Sequence, residues 1–266
     1  MLQDEKHDEK LFDGNPYSEV DQGFKPVLET TKDIKWYKKL IYALMGIGGI
    51  YGLAYLAGRI LSFMDPGPQK SGIANFVVYG ALFLILAGMA AIDFKKFINE
   101  VKLHRYKGFV FGLAFGGGII FTTMLYSVIS SFFYKASINE NEQGLRAFIG
   151  YYPVLSILIL GMAGPFCEEM TYRLGLFSIF GKHKWLGYIV SVTIFALAHF
   201  TFNSEDMTSE LVNLPVYIMS GVALAIAYDK FGFFCSLTAH MTNNLYSVIM
   251  LLLVQYLYGS QIPDSI

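Results

Sequence analysis

Charge is scarce in this sequence. Asp, Glu, Lys and Arg make up 15% of its 266 residues, where a soluble domain carries about 25%. The formal net charge is −1 and no basic stripe runs along the chain, which excludes the electrostatic footprint of a nucleic-acid-binding protein. Cysteine is nearly absent. Cys167 and Cys235 lie far apart inside apolar stretches, so they form no disulfide framework and read as small, inert core residues. The N-terminus lacks the basic start and short apolar region of a secretory signal. No G-x-S-x-G elbow and no H-E-x-x-H pair occurs, which removes two common hydrolase patterns. No internal repeat is evident either, so the inverted halves of many transporters find no support.

Apolar sequence is what the chain has in excess, at 54%. Crossing a ~30 Å hydrocarbon core takes roughly 20 predominantly apolar residues per helix. Runs of that character occupy residues 40–58, 73–92, 108–134, 151–180, 185–200, 211–228 and 233–258. They lack the alternation of barrel strands, and helices are the remaining way to satisfy every backbone group in lipid. The expected fold is therefore an all-α, polytopic transmembrane helix bundle with seven spans around a central polar cavity. The fourth run contains Gly164-Pro165, and a split there would make eight. Residues 1–39 are expected to form a polar, flexible cytosolic tail. Residues 40–150 hold three N-terminal transmembrane helices, 151–258 the membrane core that carries the chemistry, and 259–266 a short C-terminal tail.

Lys/Arg excess marks cytoplasmic loops. The densest basic cluster, Lys95, Lys96, Lys102, Arg105 and Lys107, follows the second run and is expected inside. Lys182, Lys184 and Lys230 fall on the same side in a seven-span alternation, whereas the 201–210 loop carries Glu205, Asp206 and Glu210 without a base. That pattern places the N-terminus in the cytoplasm. Gly108, Gly112 and Gly116 form overlapping G-x-x-x-G steps, and Gly48 with Gly52 another. Such spacing lets helix backbones approach closely, either within this bundle or in a homodimer.

Ionisable groups inside spans cost ~2.5–3.5 kcal/mol each on insertion scales, so those that occur mark chemistry. Glu168 and Glu169 follow an apolar run, with Arg173 four residues beyond Glu169. His199 ends the run from Trp185, and His240 and Asn244 lie inside the last one, whereas His7, His104 and His183 sit in polar segments. Glu169 and Arg173 are i, i+4 neighbours suited to an ion pair, and Glu168 points about 100° away. At ~1.5 Å per residue, Glu168 lies about 21 Å from Lys182, His199 about 22 Å from Lys184 and His240 about 15 Å from Lys230. Three segments thus bring polar groups to similar depth. A buried carboxylate can take a proton from water, and a histidine beside it can hold the same water. A second histidine and an asparagine amide can donate to a developing oxyanion. The set suits amide hydrolysis without a covalent nucleophile. Asn244 is a poor zinc ligand and no third strong ligand accompanies the histidines, so neither metal nor cofactor is expected.

Glu168-Glu169-Met170-Thr171-Tyr172-Arg173, Phe195-Ala196-Leu197-Ala198-His199 and His240-Met241-Thr242-Asn243-Asn244 resemble the three signature motifs of the CAAX-processing endopeptidases, also called the CPBP or Abi family. Order, spacing and apolar setting match over roughly residues 154–258. The resemblance implies a metal-independent, glutamate-dependent intramembrane protease. It puts Glu168 and His199 on the water, His240 and Asn244 on the oxyanion, and Glu169 and Arg173 in a supporting pair. Tyr172 departs from the phenylalanine common there but keeps the aromatic body. The implied partners are the lipid bilayer and a membrane-associated peptide or protein substrate, and the implied setting is the plasma membrane of a bacterium. Alternatives from other classes are a non-catalytic binding or bacteriocin-immunity factor and a proton-coupled transporter.

Overall fold

The computed structural model describes residues 29–258 apart from 66, 105 and 135–137. Expectations for residues 1–28, Arg105 and 259–266 lie outside the described residues. Within them the chain is helical and without strands. The helices are α1 (Trp36–Ile60), α2 (Pro68–Ile92), α3 (Phe94–His104), α4 (Tyr106–Ser131) and α5 (Glu140–Tyr151). After Pro153 come α6 (Pro153–Leu158) and α7 (Gly164–Glu168), then α8 (Lys184–Leu197), α9 (Met207–Phe231) and α10 (Phe233–Tyr258). Six segments are long and apolar enough to span a membrane, and α8 is a shorter apolar seventh. This is an integral membrane protein, and its seven apolar segments coincide with the seven runs of the sequence.

The fourth run is not split into two spans. Residues Pro153–Phe177 form one continuous span in which α6 and α7 alternate with π-helical stretches, Ile159–Ala163 and Glu169–Phe177. Pro165 brings no N–H to the carbonyl one turn earlier and its ring crowds that carbonyl, and the first wide turn lies immediately before the Gly164-Pro165 pair. Thr171 Oγ1 then donates to the Cys167 carbonyl at 2.6 Å, and Ser178 Oγ to that of Arg173 at 3.1 Å. Side chains thus serve carbonyls along the wide turns, as backbone at membrane depth requires.

This segment is the axis of the bundle: 56% of its apolar window is buried, against at most 28% in any other span. Small residues let neighbours close on it. Gly46 of α1 faces Thr171, and Gly175 faces Ala43. On the opposite side α4 lies against α10, with Gly112 against Thr238 and Gly116 against Thr242. The Gly112/Gly116 step of α4 is therefore used within the bundle, while a Cβ at Gly108 would meet only His104, and Gly48 and Gly52 of α1 have nothing against them among the described residues. Leu84, Phe121, Ile129 and Leu253 point outward; an exterior this apolar suits acyl chains rather than water.

Two helices were not anticipated. α3 occupies the basic segment read as a loop and buries Phe97 and Glu100. α5 is N-capped by Asn139, whose side chain accepts from the Glu142 amide at 3.0 Å. The N-terminal tail also departs from expectation, because residues 29–39 are docked. Glu100 accepts from the Thr31 amide at 3.2 Å, from the Thr31 hydroxyl and from the Phe233 amide, so one carboxylate ties the tail to the start of α10. Lys32 Nζ donates to the Asp229 carbonyl at 2.9 Å. Gly232, at φ 88°, makes the α9–α10 corner in a conformation that favours glycine, and a Cβ there would strike the Glu100 carboxyl.

Candidate functional site

The junction between α7 and the second π stretch falls between Glu168 and Glu169. π turns inside helices recur at functional sites, and here the junction aims two adjacent carboxylates at one histidine. Glu169 Oε1 lies 2.8 Å from His240 Nδ1, and Glu168 Oε2 lies 3.6 Å from His240 Nε2. The imidazole is bracketed, one carboxylate to each nitrogen. As an ionised carboxylate only accepts, Nδ1 carries the proton toward Glu169, which leaves Nε2 facing Glu168.

Glu169 is the structural centre. It is fully buried, its Oε2 sits 3.6 Å from Arg173 Nε, and it accepts the Ser236 hydroxyl. Arg173, equally buried, donates through Nη2 to the Gly221 carbonyl at 3.3 Å and lies 4.6 Å from the Phe195 ring centroid, a cation–π distance. The i, i+4 pair read from the sequence is thus present and has Ser236 and His240 as further partners. Glu168 differs. It is 9% exposed, and its Oε2 has no hydrogen-bond partner among the described residues. A buried carboxylate oxygen without a protein donor is a place for water or substrate.

His199 follows the C-terminus of α8, beyond the last helical residue. Its Nδ1 lies 2.9 Å from the Phe195 carbonyl; since a carbonyl accepts, Nδ1 bears the proton and Nε2 is left as the basic nitrogen. His199 bonds Phe195 rather than either glutamate. Phe195 stands between the two histidines, its ring 4.8 Å from that of His199 and 6.0 Å from that of His240. Asn244, one turn beyond His240 on α10, donates to the Leu160 carbonyl at 3.0 Å, within the first π stretch. Its amide has a second N–H to offer.

Glu168, Glu169, Arg173 and His240 are therefore in one contact network, with His199 joined through Phe195 and Asn244 along α10. Glu168, which the family resemblance paired with His199, has His240 as its basic partner within 4 Å among the described residues. Ser236 was missed, although Ser236, His240 and Asn244 form an i, i+4, i+8 polar row on an apolar helix, a signal present in the sequence. Tyr217, stacked on His199 with centroids 4.6 Å apart, was also missed; one tyrosine among 18 gave no signal. Among the described residues, no group of three His, Cys, Asp or Glu side chains is placed to hold a metal ion.

Comparison with known proteins bears on the same region. Residues 150–246 match the family model described as Rce1-like, type II CAAX prenyl endopeptidase, the family that the three motifs resemble. A curated relative, the UPF0177 protein YvdC of Lactococcus lactis subsp. lactis, is 22% identical over 139 residues, covering 52% of this chain and 51% of that protein. The chain thus spans about half the length of the curated relative it matches. No solved structure gives a significant match. Residues 150–246 carry an Rce1-like domain, and every site residue described above falls within it.

Proposed function

We propose that this protein is an intramembrane endopeptidase that hydrolyses a peptide bond of a membrane-associated protein or peptide, without metal or cofactor. The observation that carries the reading is Glu168: a nearly buried carboxylate with one oxygen unpartnered, in the Rce1-like region and 3.6 Å from a histidine. In this reading a water on Glu168 and His199 attacks the peptide carbonyl carbon as Glu168 takes its proton. A C–O bond forms, and the carbonyl becomes an oxyanion that accepts hydrogen bonds from Asn244 and from His240 when Nε2 is protonated. The proton held by Glu168 then passes to the amide nitrogen as the C–N bond breaks, releasing an amine and a carboxylic acid, which passes its proton to the amine or to water and leaves as the carboxylate. Glu169 and Arg173 act through His240: Glu169 holds its Nδ1, and Arg173 holds Glu169.

The setting that fits this reading is a bacterial plasma membrane, with the tail and the α3 basic segment in the cytoplasm. The test compares membrane-peptide profiles of cells carrying the wild type and Glu168→Gln. Fragments present only with the wild type, reproduced by purified protein on the corresponding peptide, support the hydrolase. Full biological activity in Glu168→Gln would instead favour a binding or immunity role, and proton-dependent flux in liposomes a transporter.

A further inference from the structure

His199 sits where the chain is least able to hold it. It lies past the end of α8, on backbone that runs irregularly toward the start of α9, so no helix fixes its side chain. Elements from elsewhere surround it. Tyr217 of α9 lays its ring on the imidazole at 4.6 Å and 24°. The Tyr217 hydroxyl accepts from the Asn139 and Asn141 amides, both at 3.3 Å. Asn139, only 2% exposed, caps α5 and donates to the His199 carbonyl at 3.4 Å. Beneath them the buried Glu210 accepts the backbone N–H of Glu140 and of Thr201, each at 3.0 Å, joining the start of α5 to the turn after His199.

From this frame we infer that Tyr217 is a positioning residue for His199, an inference that rests on the endopeptidase reading. The Phe195 carbonyl fixes which nitrogen is protonated, but one hydrogen bond to Nδ1 leaves the ring free to rock about it. The face of Tyr217 removes that freedom, and the amides of Asn139 and Asn141 hold the phenol in turn. The basic Nε2 is thereby kept on one bearing. Among the described residues no hydrogen bond or ring contact joins Tyr217, Asn139 or Asn141 to Glu168, Glu169 or His240, so the frame acts on one member of the site alone.

The test uses the purified full-length protein in detergent and a quenched fluorescent peptide built on the cleavage site found by the membrane-peptide comparison. Melting, kcat and KM are measured for Tyr217→Leu, Tyr217→Met and Tyr217→Phe, with Glu168→Gln alongside. Because misplacing a reacting group by about 1 Å can cost about 10²-fold, kcat should fall about 10–100-fold in the Leu and Met variants. Their KM should stay within about twofold, and Phe, which keeps the ring, should restore kcat to within about threefold. Unchanged kcat in both aliphatic variants, a raised KM at constant kcat, or a Phe variant as slow as Leu would each overturn the proposal. So would loss of fold in both aliphatic variants, which would make Tyr217 structural. If Glu168→Gln cleaves at the wild-type rate, the endopeptidase reading itself fails; if it is inactive while the Tyr217 variants are unaffected, only the positioning role does.

Discussion

Glu168 and Glu169 are adjacent in sequence, yet their substitution by Gln should have opposite signatures. In Glu169→Gln the shape is kept and a charge is removed from a site with no exposure. Arg173, also at zero exposure, then loses the carboxylate 3.6 Å from its Nε. Among the described residues two of its nitrogens, Nε and Nη1, already lack a hydrogen-bond partner, and the Gly221 carbonyl and the Phe195 face are what remain to it. Stranding one member of a buried pair costs ~3–5 kcal/mol, a large share of the ~5–15 kcal/mol by which folded proteins are stable. At about 2–4 °C per kcal/mol for chains of this size, the melting temperature in detergent should drop by about 6–20 °C, with yield and activity falling together. Glu168→Gln removes no hydrogen bond among the described residues, the Glu168 Oε2 being unpartnered and 3.6 Å from His240 Nε2. That protein should melt like the wild type while turnover falls by about 10²–10⁴-fold, the range for loss of a general base. Thermal melting and turnover of a reporter peptide on both variants decide the matter. A Glu168→Gln protein that unfolds beside a folded, inactive Glu169→Gln would refute the assignment.

Other outcomes follow from the packing. Gly116→Leu drives a side chain into Thr242 and should cost ~1–3 kcal/mol as overpacking does, whereas Gly117→Ala, with nothing within 4 Å, should melt unchanged; equal melting would show that α4 and α10 do not pack this closely. Deleting residues 1–28 should leave stability and turnover intact, but deletion through Asp33 strips Thr31 from the buried Glu100 and should cost ~1–3 kcal/mol, read by melting. A cysteine replacing Lys102, exposed on α3, should be labelled in intact cells only by membrane-permeant reagent; labelling by an impermeant reagent would invert the topology. Chelators should leave turnover unchanged, and restoration of lost activity by added zinc would sink the metal-free mechanism.

The site was legible in the sequence to the extent that its residues are costly where they stand. Glu168, Glu169, His240 and Asn244 interrupt apolar runs, and lipid tolerates such groups only in polar company. The same logic would have found Ser236, one turn from His240. The π stretches were not legible, because hydrophobic periodicity cannot distinguish a helix that widens by one residue per turn. Pro165 was the single trace of them, and it suggested a break. More residues fit into each length of axis in a wide turn, so the Glu169–Phe177 stretch rises less than the straight α helix on which the depth comparison with Lys182 rests. α3 was hidden by its charge, although Phe94, Phe97, Ile98 and Val101 recur at helical spacing. Asn139 with Glu142 three residues on is likewise a capping signature that the loop reading passed over. The His199 frame had no local trace, since Asn139, Glu210 and Tyr217 meet only when α5 and α9 are folded together.

The shortness of α8 bears on supply. Its 14 residues rise about 21 Å, well short of a ~30 Å hydrocarbon layer. Irregular chain begins at Ala198 and carries His199, before the helix has risen the thickness of that layer. Irregular backbone at membrane level persists only where it is buried in protein or wetted, and Tyr217, Asn139 and Glu210 supply protein along part of that turn. In the hydrolase proposed above water is the smallest reactant, and the missing turn of this one helix shortens the distance that each molecule of it has to travel.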